Sequence, residues 1–179
     1  TREALLCLAV AAFLAGCDAL GAEETVILSD NEVTFTFSFQ GGSISTGSTN
    51  TLESDEPVSA PLRQILEDRG FTLQDLRSVT VEEAGLELTF PVQQQLDFMQ
   101  QLEIYLLTSQ LSPTLIGRRT QIPDGRRSLS VPVESTKNID SYVRSPVTAR
   151  LSLEADESLD DREYEMDLTL RLAMEVGGL

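Results

Sequence analysis

Histidine and tryptophan are absent from this chain of 179 residues, and Lys137 is its only lysine. Cysteine occurs only at Cys7 and Cys17, both close to the start. Each shortage removes a class of chemistry. Without histidine there is no Ser-His-Asp or Cys-His nucleophile, and no histidine-ligated metal. A domain that follows Cys17 without further cysteine is no disulfide scaffold, zinc-thiolate site or thiol enzyme. Without tryptophan, and with only seven Phe and three Tyr, few rings are left to stack on sugars. No G-x-S-x-G, phosphate-cradling P-loop or G-x-G-x-x-G occurs. Positive charge is scarce as well. Thirteen basic residues stand against 29 acidic ones, a net charge of −16. Affinity for nucleic acid rests on Lys and Arg neutralising phosphates, so no nucleic-acid partner is expected. Attraction to anionic lipid headgroups is disfavoured for the same reason.

What is present suits one globular domain. The length fits a single domain, and 41% apolar residues are enough for a packed core. A very acidic, lysine-poor surface suits high salt, where self-repulsion is screened.

The uncharged stretch "ALLCLAVAAFLAG", Ala4 to Gly16, is short of the roughly 20 apolar residues of a membrane-spanning helix. It has the size of a signal-peptide apolar region, about 7–15 residues, followed by small residues. Leu14-Ala15-Gly16-Cys17 resembles the lipobox of bacterial lipoproteins. Ala15 and Gly16 are small enough to enter a peptidase cleft, and a thiol accepts a diacylglyceryl group as a thioether. The resemblance implies cleavage before Cys17, lipidation (diacylglyceryl, with palmitate-type acyl chains) at Cys17, and loss of Cys7. It covers only the first 17 residues and implies nothing about the fold beyond them. Asp18 resembles the inner-membrane retention signal of enteric lipoproteins. Removing residues 1–16 takes away Arg2 and Glu3 together, so the net charge stays −16.

The expected organisation is a signal peptide at 1–16, a tether at 17–24, and one domain over 25–179. Residues 40–57, rich in Gly, Ser and Thr, are expected to form a long flexible loop. Period-two alternation dominates the domain. "VTFTFSF" puts Val33, Phe35, Phe37 and Phe39 on one face. "GLELTF", "SLSVPV" and "VTARLSLEA" repeat the pattern, and in "YEMDLTLRLAMEV" every second residue from Tyr164 to Val176 is apolar. These are half-buried strands. Helix is limited to "SAPLRQILEDRG", a short helix in "VQQQLDFMQQL", and a turn in "STKNIDSYV". The expected fold is all-β: an antiparallel β-sandwich, immunoglobulin-like or jelly-roll-like, with one or two short helices.

Two charge clusters are candidate sites. Asp156, Asp160 and Asp161 lie in "EADESLDDREY", where carboxylate oxygens suit Ca²⁺. With no glycine to turn the loop around an ion, a solvated acidic patch is the expected reading, so no metal is expected. Arg118, Arg119, Arg126 and Arg127 flank "IPDG". If that turn closes a hairpin, the arginines meet across it and suit an anionic partner; neutralising the acidic surface is the simpler role. Paired carboxylates serve glycosidases, but so many acids bring some pair together in any fold. No enzyme and no cofactor are expected. The functional expectation is a lipid-anchored protein of the bacterial cell envelope, a non-catalytic structural or binding module whose partner is an envelope protein. The alternative is a carrier of a lipid or other hydrophobic ligand between the sheets.

Overall fold

The longest alternating runs in the sequence become the longest strands. The computed structural model describes residues 25–54, 59–134 and 136–177; the signal-like segment, Cys17 and the tether lie outside them. The strands are β1 (Thr25–Gln40), β2 (Thr49–Glu53), β3 (Leu76–Phe90), β4 (Met99–Leu107), β5 (Thr114–Arg119), β6 (Ser128–Val131), β7 (Thr148–Ala155) and β8 (Glu163–Gly177). Two short α-helices lie between them, α1 (Ser59–Glu67) and α2 (Asp140–Val143).

The strands form two four-stranded sheets, ordered β1-β8-β3-β6 and β2-β7-β4-β5. The order has a simple origin. β4 pairs with β5, β3 with β6, β2 with β7 and β1 with β8, all antiparallel. That is one long antiparallel ribbon with its tip between β4 and β5. Rolling the ribbon on itself adds the β3–β8 and β4–β7 pairings. Of the two sandwich types expected, this order is the jelly roll.

The rolled ribbon buries the apolar faces that the alternation marks. On β8, Tyr164, Met166, Leu168, Leu170, Leu172, Met174 and Val176 are each at most 2% exposed. At about 1.5–3 kcal/mol for each buried apolar side chain, this strand is a large source of stability. Val33, Phe35 and Phe37 of β1 face it, equally buried. The Phe39 ring stacks on Tyr164 with centroids 5.4 Å apart. The chain leaves this seam at Gly41, where a Cβ would lie 2.1 Å from the Asp160 carbonyl oxygen. Helix α1 inserts Leu62 and Leu66 into the core. It ends in a Schellman motif: Phe71 N–H donates to Leu66 O, Gly70 N–H donates to Glu67 O, and Gly70 has φ +80.

Three expectations need correction. Residues 40–57 are not one long loop, because β2 lies inside them and pairs with β7. The reason is Asn50, 9% exposed. Its Oδ1 accepts Ser45 N–H at 2.8 Å, and its amide donates to Ser45 O and Ser48 O. One side chain thereby replaces the backbone partners that a Gly/Ser/Thr segment lacks. The "VQQQLDFMQQL" helix is only a 3-10 turn, Leu96–Phe98, and β4 begins at Met99. Leu96, Phe98, Met99 and Leu102 all reach the core this way. Finally, "IPDG" closes no β5–β6 hairpin; the returning chain meets β5 beyond β6, where Gly117 bridges Val133 and Arg118 N–H donates to Pro132 O. Gly125 has the expected positive φ, +71, but β5 and β6 belong to different sheets, so the turn is a crossover. The acidic "EADESLDDREY" segment likewise crosses between sheets, from β7 to β8.

Candidate functional site

The first sheet turns one face to solvent, and register arranges that face in rows. One row is Glu32, Arg171 and Glu83. The next is Thr34, Thr169, Gly85 and Ser130. The third is Thr36, Asp167, Glu87 and Ser128. Gly85 carries no side chain, and open space stands over it. The rows around it therefore enclose a depression of about 500 Å³. Its lining is hydroxyl and carboxylate, with one guanidinium.

That guanidinium is committed. Arg171 bonds the Glu83 carboxylate and lies 3.6 Å from Glu82. Thr36 donates to Asp167 Oδ1 at 2.7 Å, and the Thr34 and Thr169 hydroxyls are 3.3 Å apart. The Glu87 carboxylate makes no hydrogen bond or ion pair among the described residues. The depression is thus rich in acceptors and negative, which favours cations and hydrogen-bond donors. Among the described residues, no three His, Cys, Asp or Glu side chains are grouped to hold a metal ion.

The clusters chosen from sequence fall elsewhere. Asp156, Asp160 and Asp161 are exposed in the β7–β8 connection. Asp156 N–H donates to Phe98 O. Asp160 lies 3.7 Å from Arg162, and Asp161 stands against Gly42. The four arginines do not face one another across a hairpin. Arg118 pairs with Glu103 at 2.6 Å. Arg119 donates to the carbonyls of Gln121 and Ser130, so it ties the end of β5 to β6. Arg127 donates to the carbonyls of Leu88 and Thr89. The Arg126 side chain is exposed, and its carbonyl accepts Leu96 N–H. Three of the four hold strands and crossovers in place.

Sequence reading missed two features. Tyr105 donates to Glu103 Oε2 at 2.6 Å, and this bond, with some burial, raises its pKa above the ordinary 10.0. Tyrosine beside an acid two positions away on one strand face is the signal that could have found it. The other is the acidic face itself, whose members come from four strands and meet only through register. A second shallow concavity lies beside α1, lined by Arg63, Glu67 and Thr72 to Gln74. Neither concavity lies between the sheets.

No helix among the described residues is long and apolar enough to cross a membrane. The sequence matches no protein-family model and no curated protein. Among solved structures, it is similar to a chain in the structure of turnip yellow mosaic virus. That match has 11% identity and a TM-score of 0.32, and covers 85% of this chain and 97% of that one. Overlap at that level says nothing about what this chain binds, and the jelly-roll assignment rests on strand order alone.

Proposed function

We propose that this is a bacterial lipoprotein of the cell envelope, a non-catalytic binding or structural module tethered through Cys17. The observation that carries the reading is Leu14-Ala15-Gly16-Cys17 after an uncharged apolar stretch, with the first strand beginning soon afterwards at Thr25. Acyl chains on Cys17 fix the domain to a leaflet, since two or more chains give stable anchoring. Residues 18–24 then give a reach of at most about 3.5 Å per residue. The domain meets its partner with a sheet face or edge.

The absence of histidine, and of any cysteine after Cys17, supports a non-catalytic role. A carrier of hydrophobic ligands needs a cavity between the sheets, and inward side chains of both sheets, among them Leu88, Leu102, Ile104, Leu151, Met166 and Leu168, have no accessible surface to line one; that favours the binding module. Mass spectrometry of the native N-terminus tests the anchor. The expected result is a diacyl-modified Cys17 as the first residue, with membrane association lost in Cys17→Ser. An unprocessed N-terminus upstream of Cys17 overturns the reading.

A further inference from the structure

Strand β1 forms one rim of the first sheet and, among the described residues, pairs only with β8. Its hydrogen-bonding directions follow from the register. Leu88 N–H donates to Arg127 O, on the β6 side of β3. In an antiparallel ladder successive residues face opposite neighbours, so Glu87 faces β8 and its partner Asp167 faces β3. Leu168 then faces β1, and its partner Phe35 faces β8. Val33 and Phe37 follow Phe35. Glu32, Thr34, Thr36 and Ser38 therefore direct their N–H and C=O groups away from the sheet. Two bonds agree with this phase: Gly41 N–H donates to Arg162 O on the β8 side, and Gln40 O accepts the Ser43 hydroxyl. Among the described residues, no hydrogen bond reaches the four outward backbones from another segment. All four residues are exposed.

Edge strands are ordinarily guarded by brevity, proline, bulges or lysine. The opposite rim, β6, has four residues and is followed by Pro132. In the second sheet, β2 has five residues, and β5 has six with a bulge in its pairing and Arg118 and Arg119 at its end. β1 has 16 residues. Its only irregularity is the bulge between Leu28 and Asn31. From Glu32 to Ser38 it has no proline and no basic residue, and its core-facing side is entirely apolar.

We propose that the outer edge of β1, from Glu32 to Ser38, docks an extended basic segment of a partner protein as an added strand of the first sheet. An added strand takes main-chain bonds from the edge and specificity from alternate side chains. One set of its side chains lies over the solvent face, beside Glu32 and towards Asp167 and Glu87. Arg171 is already held by Glu82 and Glu83, so this face offers uncompensated negative charge to Lys or Arg. The other set continues the apolar side of Val33, Phe35 and Phe37. The matching segment alternates basic and apolar residues. A second copy of this chain is the poorer occupant, because it brings a net charge of −16 and another Glu32 to the contact. The inference rests on reading the domain as a binding module and does not depend on anchoring at Cys17.

The test uses the full chain and an eight-residue peptide alternating lysine and valine, read by amide hydrogen exchange. With peptide at about ten times its Kd, exchange at Glu32, Thr34, Thr36 and Ser38 slows about tenfold. Affinity falls with salt. A peptide of equal charge with a central proline binds at least roughly tenfold more weakly, since proline removes a ladder donor. Thr36→Lys, which guards the edge with a cation, abolishes the protection; Glu32→Gln and Asp167→Asn weaken binding and flatten its salt dependence. Equal binding of the proline peptide overturns the proposal in favour of charge attraction alone. Protection that rises with protein concentration without peptide overturns it in favour of self-association. No protection at these four amides overturns it outright. Each of these outcomes leaves lipid attachment at Cys17 untouched, so the two readings fail separately.

Discussion

Glu87 on β3 lies directly opposite Asp167 on β8, two carboxylates as cross-strand neighbours on an exposed sheet face. Asp167 has the Thr36 hydroxyl at 2.7 Å, and the Glu87 carboxylate has no partner among the described residues. Like charges directly opposite in a ladder are destabilising. Glu87→Gln is therefore expected to raise stability by about 0.2–1 kcal/mol at low ionic strength. Chemical denaturation at low and high salt checks this, since the gain shrinks as screening grows. A loss of stability at low salt would show that the pair has found a compensation absent from the fold described above.

The whole surface follows the same rule on a larger scale. With a net charge of −16, self-repulsion opposes the compact state. Raising KCl from about 0.01 M to 1 M shortens the screening length from roughly 30 Å to 3 Å. The melting temperature is expected to rise across that range. A maximum at the low-salt end would contradict both this expectation and the high-salt habitat that the composition suggests.

Asn50 holds the β1–β2 connection through three bonds to Ser45 and Ser48. Asn50→Ala removes all three of these side-chain bonds, and only Ser45 O keeps another donor, the Ser48 hydroxyl. The expected cost is about 0.5–1.5 kcal/mol for each bond that water does not take over. Hydrogen exchange at Ser45, the amide that donates to Asn50, is the local readout. Unchanged protection there would mean that water replaces the side chain without loss.

Two hydrogen-bonded groups contribute to the pH dependence of stability. Thr72 donates to Asp75 Oδ2 through its N–H at 2.7 Å and its hydroxyl at 2.8 Å. These bonds, the hydroxyl's first, hold the Asp75 pKa below its ordinary 3.8. A lowered acid pKa contributes stability above pH 3.8 that is lost as pH falls through the lower folded value. Tyr105 behaves in the opposite sense. Its bond to Glu103 raises its pKa, so its contribution is complete below pH 10.0 and lost as pH rises through the folded value. Titration followed by NMR should show Asp75 with a lowered midpoint and Tyr105 with a raised one. Asp75→Asn and Tyr105→Phe should remove the corresponding contributions and leave the rest of the profile in place.

The long strands were legible because a pure apolar alternation, as in Phe35, Phe37 and Phe39 or from Tyr164 to Val176, has only one way to sit on a core. β2 was hidden. Its sequence, Thr-Asn-Thr-Leu-Glu, has little apolar signal, and its position depends on a buried asparagine that reads as turn chemistry. The turn at Gly125 was legible as a turn, but not its destination, because a positive φ fixes a local bend and says nothing about which sheet follows. The acidic face shows the same division. Thr34, Thr36 and Ser38 were visible as a solvent side. That Glu87 would meet Asp167, or that Gly85 would open a depression between them, depends on the register of strands distant in sequence.

The rolled ribbon also orders events in time. β8, the last of the described strands, lies between β1 and β3, with Thr25 pairing with Gly177. Until it arrives, the two strands it separates expose their backbones on facing sides, and the first sheet has no centre. Only the ribbon tip, β4 with β5, closes locally. A nascent chain of this design stays open along most of the ribbon until β8 is free. Topologies dominated by distant pairings fold slowly. An unhurried chain is one that can still be threaded, extended, through a narrow passage after synthesis and folded on the far side.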